Sequence, residues 1–292
     1  MIKDLMRPSV NDDWGIKELQ NCILNIAYYI HSFCEENNIK YCIMGGTALG
    51  AIRHGGFIPW DDDIDLFMTP EEYAKFSKLF KEKGDHQHFY LQELGKCNGM
   101  ASSAKLRMNG TSFIEEMTKD WDIHQGIFVD IMLMKNFPDG YFSRKWMLLW
   151  AKYLYIKGAA ELNYNRRGKF VSIALAPFRW LPKRFLCNYG VSQIRKYQNE
   201  ECHNYFHYYF SMPISHSVYP KELFASYDLI DFETIQLRVP TGVKQYLKIL
   251  FGDYMKIPNI DEIRFRQHTN NWSVDTPFKP NGKGTFEDEE YY

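Results

Sequence analysis

The 292-residue sequence carries almost no net charge. Its 35 Lys and Arg stand against 36 Asp and Glu, a formal charge of −1. Proteins that hold nucleic acid through its phosphates need a basic field or stripe, so the balance argues against a nucleic-acid partner. Positive charge gathers only locally, as in Arg166, Arg167 and Lys169, and in Lys183 and Arg184. No run of about 20 apolar residues exists, the length a membrane-spanning helix requires. The nearest approach, Phe170 to Leu181, is interrupted by Pro177 and Arg179. It reads as a buried helix pair, with a segment lying on a membrane surface as the alternative. Six Cys occur without CxxC spacing, which predicts reduced, buried thiols rather than a zinc site. No basic-then-apolar leader opens the sequence, and neither an internal repeat nor a low-complexity linker divides it. These absences set the expectation of a cytoplasmic protein, with peripheral contact at the inner membrane face left open.

What is present is an ordinary globular composition, 45% hydrophobic and 24% charged, with an unusually high 16% of aromatics. Apolar residues at helical spacing predict a helix over 16–37. A short apolar run, Tyr41 to Met44, reads as a strand that leads through Gly45, Gly46 and Thr47 into a second helix. His54 to Pro59 reads as a loop, and Ile64 to Met68 as a strand entered from acidic residues. Thr69 and Pro70 suit the N-cap and first position of a helix over 70–83. Further strands are expected at 103–107 and 126–134. Helices are expected at 141–161, 184–210 and 241–251, with short strands or loops over 219–239. The pattern is that of an α+β protein, a mixed β-sheet flanked by helices. Residues 1–137 read as a catalytic core, and 138–292 as a mainly helical, aromatic-rich part packed on it.

The chemistry concentrates between Met44 and Met68. A glycine pair directly after a strand lets backbone N–H groups approach a phosphate, and the following helix turns its positive end toward it. Asp61, Asp62, Asp63 and Asp65 follow. Alternate strand residues share a face, so Asp63 and Asp65 are expected to project together around the core residue Ile64, a spacing suited to Mg²⁺. Asp130, a lone charge in the apolar run Phe128 to Met132, is the candidate third carboxylate. It needs a partner, and either a shared metal or a Lys or Arg would serve. Arg53 and His54 are candidates for a phosphate clamp, with pairing of Arg53 to the acidic run as the alternative. Lys105 and Arg107 alternate on one strand and so are expected to face one side, beside phosphates or in surface salt bridges.

A GG-[ST] turn, a D-h-D strand and a single Asp on a later strand resemble the nucleotidyltransferase fold. More narrowly, Gly45 to Asp65 closely resembles the LicD family. Lys105-Leu106-Arg107 with Asn109 and Thr111, the strand Gly126 to Ile131, and Tyr246-Leu247 with Phe251 to Met255, Pro258, Arg264 and His268 resemble its later motifs. Two departures stand out. The closing motif begins Phe251-Gly252 rather than Tyr-Gly, and Met132-Leu133-Met134-Lys135 replaces a hydrophobic-Pro-Leu-Asp stretch.

The resemblance implies a phosphotransferase with a CDP-alcohol donor, CDP-choline first among them. The alcohol phosphate would pass to a cell-surface glycan or its lipid-linked precursor, with release of CMP. It further implies Mg²⁺ or Mn²⁺ on Asp63, Asp65 and Asp130, donor contacts from Gly45, Gly46, Thr47, Arg53, His54, Lys105 and Arg107, and Asp61 or Asp130 as base. The alternatives are a nucleotidyltransferase that releases pyrophosphate and a non-catalytic glycan-binding protein.

Overall fold

A computed structural model describes residues 2–8, 10–93, 103–116, 119, 123–161, 183–207, 216–259 and 268–279. The chain resolves into two compact units. The first takes Met1–Gln92, Lys105–Leu133 and Glu222–Phe286; the second takes Glu93–Ala104, Met134–Lys221 and Glu287–Tyr292. This division differs from a cut at residue 137, because the chain returns to the first unit after Lys221.

In the first unit, α1 (Lys17–Glu36) buries Leu19, Cys22, Ile23, Ile26, Ala27, Ile30 and Phe33, the face its spacing predicts. A five-stranded sheet runs in the order β1 (Cys42–Ile43), β2 (Asp65–Met68), β6 (Phe128–Leu133), β4 (Ser103–Met108), β3 (Phe89–Glu93). β1 pairs antiparallel with β2, and β2 pairs parallel with β6. The sheet is therefore mixed. α3 (Pro70–Lys83) starts as its sequence dictates: the Thr69 side chain accepts from the Glu72 N–H at 3.3 Å, with Pro70 at the first position. A two-residue ladder joins β5 (Ser112–Phe113) to β12 (Trp272–Ser273).

α2 (Gly45–His54) begins at Gly45 itself, so the glycine pair forms the helix start rather than a separate turn. Gly45 has φ +52°, a conformation that favours glycine. The helix ends on Gly55 in the left-handed region. The loop beyond it is clamped by Glu233, at the tip of the hairpin β10 (Tyr227–Phe232) and β11 (Ile235–Pro240). Glu233 is buried. Its carboxylate accepts from the Phe57 N–H at 3.1 Å and from the Arg7 backbone and guanidinium at 3.2 Å. α6 (Val243–Phe251) follows and stops at Gly252, as expected.

The second unit contains α4 (Tyr141–Glu161), α5 (Lys183–Arg195) and a small sheet of β7 (Lys135–Phe137), β8 (Asn204–Phe206) and β9 (Val218–Pro220). Phe137, Met147, Ala151, Leu154, Cys187, Val191, Ile194, Tyr197 and Phe206 form its core. One expectation needs correction. α5 ends at Arg195 instead of continuing to 210, because Asn204–Phe206 pairs as a strand with β7 and β9. In the second half, helices take more of the described residues than strands do, although five of the described strands lie there. Among the described residues, no helix is long and apolar enough to cross a membrane.

A Cβ on Gly56 would lie 1.9 Å from Glu233 Oε1. Gly56→Ala therefore forces the clamp to open, and a loss of about 1–3 kcal/mol is expected, as for other overpacked sites. Urea denaturation monitored by circular dichroism measures it; an unchanged midpoint would contradict the clamp.

Candidate active site

Four carboxylates approach the paired ends of β2 and β6. Asp65 and Asp130 are direct partners across the parallel ladder, and the Asp130 N–H donates to Ile64 O at 3.0 Å, which carries the pairing back toward Asp63. Ile64 is fully buried, so the chain entering β2 keeps the alternation expected of Asp63, Ile64 and Asp65, although only Asp65 belongs to the strand. Asp65 Oδ1 is buried without a hydrogen-bond partner. The Asp65 pKa is driven well above the usual carboxylate range, first by burial and then by Asp63, Asp130 and Asp61. Asp63 is raised as well, chiefly by burial, with Asp62 and Asp130 adding to the shift and His268 and Lys105 opposing it.

Two cations answer this charge. Lys105 Nζ lies 3.1 Å from Asp130 Oδ2 and 4.0 Å from Glu115 Oε2, above the Phe128 ring at 3.3 Å. Asp130 thus has the Lys partner that was one of its two expected solutions. The second cation is His268. Its Nδ1 lies 2.8 Å from Asp62 Oδ1, its N–H donates to Asp62 Oδ2 at 2.8 Å, and Asp63 Oδ2 is 3.8 Å away. The hydrogen bond that the imidazole donates to Asp62 is the main cause that lifts its pKa to about 10, so it is protonated at neutral pH.

The remaining candidates divide. Gly46 packs against Asp61: a Cβ there would lie 2.8 Å from Asp61 Oδ2. The Gly45 N–H is committed to the Tyr246 hydroxyl at 2.9 Å. Thr47 is buried, and its hydroxyl accepts from the Asp65 N–H at 2.9 Å. The expected phosphate turn therefore spends two of its three residues fixing α2 to α6 and to β2. Arg53 donates to Tyr254 O at 3.0 Å, Lys256 O at 3.4 Å and His54 Nε2 at 2.9 Å. The His54 pKa is lowered by burial and by Arg53 and Arg7. Arg107 is 1% exposed. Its guanidinium is held by Gln92 Oε1 and by Gly126 O at 2.7 Å and lies over the same Phe128 ring as Lys105, at 4.7 Å, so the two cations share a side of the strand as their alternation implies, with Arg107 buried. Asp253 lies just past α6, where its carbonyl accepts from the Lys256 N–H at 3.2 Å, and Arg264 lies outside the described residues.

Among the described residues, no three His, Cys, Asp or Glu side chains are gathered as a ready ligand set for a metal ion. The donor chemistry nevertheless suits a hard divalent cation: carboxylates crowded until they resist ionisation, with one oxygen buried and unsatisfied.

The carboxylate-lined strand ends beside a glycine-started helix match a known class. The family model described as LicD/FKTN/FKRP, nucleotidyltransferase domain, matches residues 38–153. The lipopolysaccharide cholinephosphotransferase LicD of Haemophilus influenzae is 30% identical over 262 residues, 83% of this chain and 92% of that protein. The chain belongs to the LicD family. The human ribitol 5-phosphate transferase FKRP is 40% identical over 53 residues, 18% of this chain and 11% of that protein. An uncharacterized Rickettsia typhi protein, RT0683, is 46% identical over 67 residues, 21% of this chain and 22% of that one.

Sequence reasoning left Asp62 open between base, hydrogen-bond partner and solvated charge, and reached His268 by resemblance alone. Their pairing spans 206 residues, and no local spacing signals it.

Two predictions follow from the charges. An Asp whose folded pKa is raised favours folding below its unfolded value and opposes it as pH rises through the folded value. At neutral pH without metal, Asp65 therefore costs stability. Asp65→Asn in EDTA is expected to gain on the order of 1 kcal/mol, a few degrees in Tm; a lower Tm would refute the repulsion. His268 is the opposite case. Its pair with Asp62 stabilises fully below the ordinary imidazole pKa, and the contribution fades as pH rises toward about 10. His268→Ala is expected to lose about 1–2 kcal/mol at pH 6, discounted because the ring is 46% exposed. Thermal melts from pH 6 to about 10 should show the gap to the parent narrowing; a constant gap would refute the assignment.

Proposed function

We propose that this protein transfers an alcohol phosphate, phosphocholine first among the candidates, from a CDP-alcohol to a hydroxyl of a cell-surface glycan or its lipid-linked precursor, releasing CMP. Membership of the LicD family supports the reaction class. The observation that carries the reading to particular residues is the cross-strand pair Asp65 and Asp130, with Asp65 Oδ1 buried and unsatisfied.

Asp63, Asp65 and Asp130 would hold Mg²⁺ or Mn²⁺. When bound, the ion supplies charge neutralisation at the donor diphosphate. The acceptor oxygen forms a bond to the phosphorus bearing the alcohol, and the bond from that phosphorus to the CMP oxygen breaks. The acceptor proton passes to a carboxylate, Asp61 or Asp130. Lys105 presents its ammonium beside Asp130 and balances negative charge at the site edge. Gly46 leaves the start of α2 without a side chain, where a phosphate gains from the helix dipole. Arg53 holds the far end of that helix to residues 254–256, and the His54 ring accepts from the Arg53 guanidinium. Thr47 positions the Asp65 backbone.

The test is incubation with CDP-choline, CDP-glycerol or CDP-ribitol and a lipopolysaccharide acceptor, in Mg²⁺, Mn²⁺ or EDTA, while following CMP. CMP release that EDTA abolishes is expected. Asp63→Ala or Asp65→Ala should lower it at least about 100-fold. Turnover in EDTA would refute the metal-dependent reading. Pyrophosphate in place of CMP would mean nucleotidyl transfer.

A further inference from the structure

The outer face of the helical pair α4 and α5 is apolar and uncovered among the described residues. On α4, Phe142, Trp146 and Leu149 recur at helical spacing and are 84%, 40% and 57% exposed. Met147, Ala151 and Leu154 fill the opposite side of the same helix and are buried. On α5, Phe185 and Tyr189 are 72% and 42% exposed and stack on each other, while Cys187, Val191 and Ile194 turn inward. The two faces are joined: Trp146 Nε1 donates to Gln193 Oε1 at 3.0 Å, and the Trp150 and Tyr189 rings meet at 5.0 Å. Phe185, Asn188, Tyr189 and Ser192 line an open cavity of about 550 Å³ in the α5 part of this face.

The charge of the same stretch is strongly one-sided. From Tyr141 to Lys196 the sequence has twelve Lys and Arg and a single acidic residue, Glu161. The rest of the chain is correspondingly acidic, since the whole carries −1. Lys145 and Lys152, one heptad apart and exposed, flank the Phe142, Trp146, Leu149 stripe.

We infer that this face docks onto an anionic lipid bilayer. An exposed apolar stripe edged with cations is the signature of a helix lying in the headgroup boundary. Aromatic rings seat at that depth, basic side chains reach back to lipid phosphates, and each cation near the surface adds to the attraction. A protein partner with an acidic, apolar surface would satisfy part of the pattern. Twelve cations against one acid along this stretch, with Lys145 and Lys152 exposed beside the stripe, favour a continuous field of phosphates over discrete contacts. The docking surface lies within one unit and does not depend on the transfer reaction.

The test is flotation of the full-length protein with vesicles of phosphatidylcholine alone and of phosphatidylcholine with about a quarter phosphatidylglycerol. Binding to the anionic vesicles is expected. It should weaken in about 1 M salt, where screening is nearly complete. Combined Phe142→Ser, Leu149→Ser and Phe185→Ser should weaken it at least about tenfold, and Lys145→Glu with Lys152→Glu should abolish the preference for phosphatidylglycerol. All five side chains are exposed, and an unchanged circular dichroism melt confirms that the variants fold. Absence of flotation, equal binding to neutral vesicles, or binding unaltered by either variant would overturn the proposal. So would binding of an oligonucleotide or a self-association that the serine variant removes, if vesicles are not bound.

Discussion

Mutual repulsion among carboxylates governs the first unit. Asp61, Asp62, Asp63 and Asp65 arrive within five residues, and the parallel ladder sets Asp130 directly beside Asp65. Charge at that density in a buried place is affordable only with counter-charge, and the chain recruits it from both sides. Lys105 comes from the neighbouring strand and His268 from a segment two hundred residues away. The carboxylate oxygen left over, Asp65 Oδ1, marks where the protein's own cations stop. The proposed metal would make up that shortfall.

Around this centre, the segments that resemble the family most strongly turn out to hold one another. The Gly45 N–H is taken by Tyr246, and Arg53 reaches the carbonyls of Tyr254 and Lys256, so both ends of α2 are anchored by the closing stretch of the chain. The hydroxyl of Thr47 steadies the backbone of Asp65. The glycine-threonine motif therefore has an architectural part beside whatever it offers a ligand: it is the fastening between a helix, a strand and a distant helix.

Local physics made much of this legible. The N-cap at Thr69, the stop at Gly252, the buried stripe of α1 and the extent of α4 all follow from residues adjacent in sequence. So did the alternation of Asp63, Ile64 and Asp65. The reading failed where the deciding partner is remote. Residues 184–210 look helical taken alone, and only the pairing of Asn204–Phe206 with β7 and β9 ends the helix. Arg107 shares a side with Lys105 as their alternation implies, but its burial against Gln92 and the Gly126 carbonyl could not be read from the strand itself. Asp62 stayed open among several roles until His268 stood beside it as a hydrogen-bond partner.

That remoteness bears on how the chain can be cut and recombined. The portion matched by the family, residues 38–153, carries the conspicuous motifs, but not Tyr246, Tyr254, Lys256, His268 or Glu233. A transplant of those residues alone would carry the acids without their keepers: an imidazolium missing from Asp62, a hydroxyl missing from Gly45, a clamp missing from the loop after α2. The smallest exchangeable module of this site is discontinuous in sequence, and crossovers within the first unit would be tolerated only when both ends of the chain travel together.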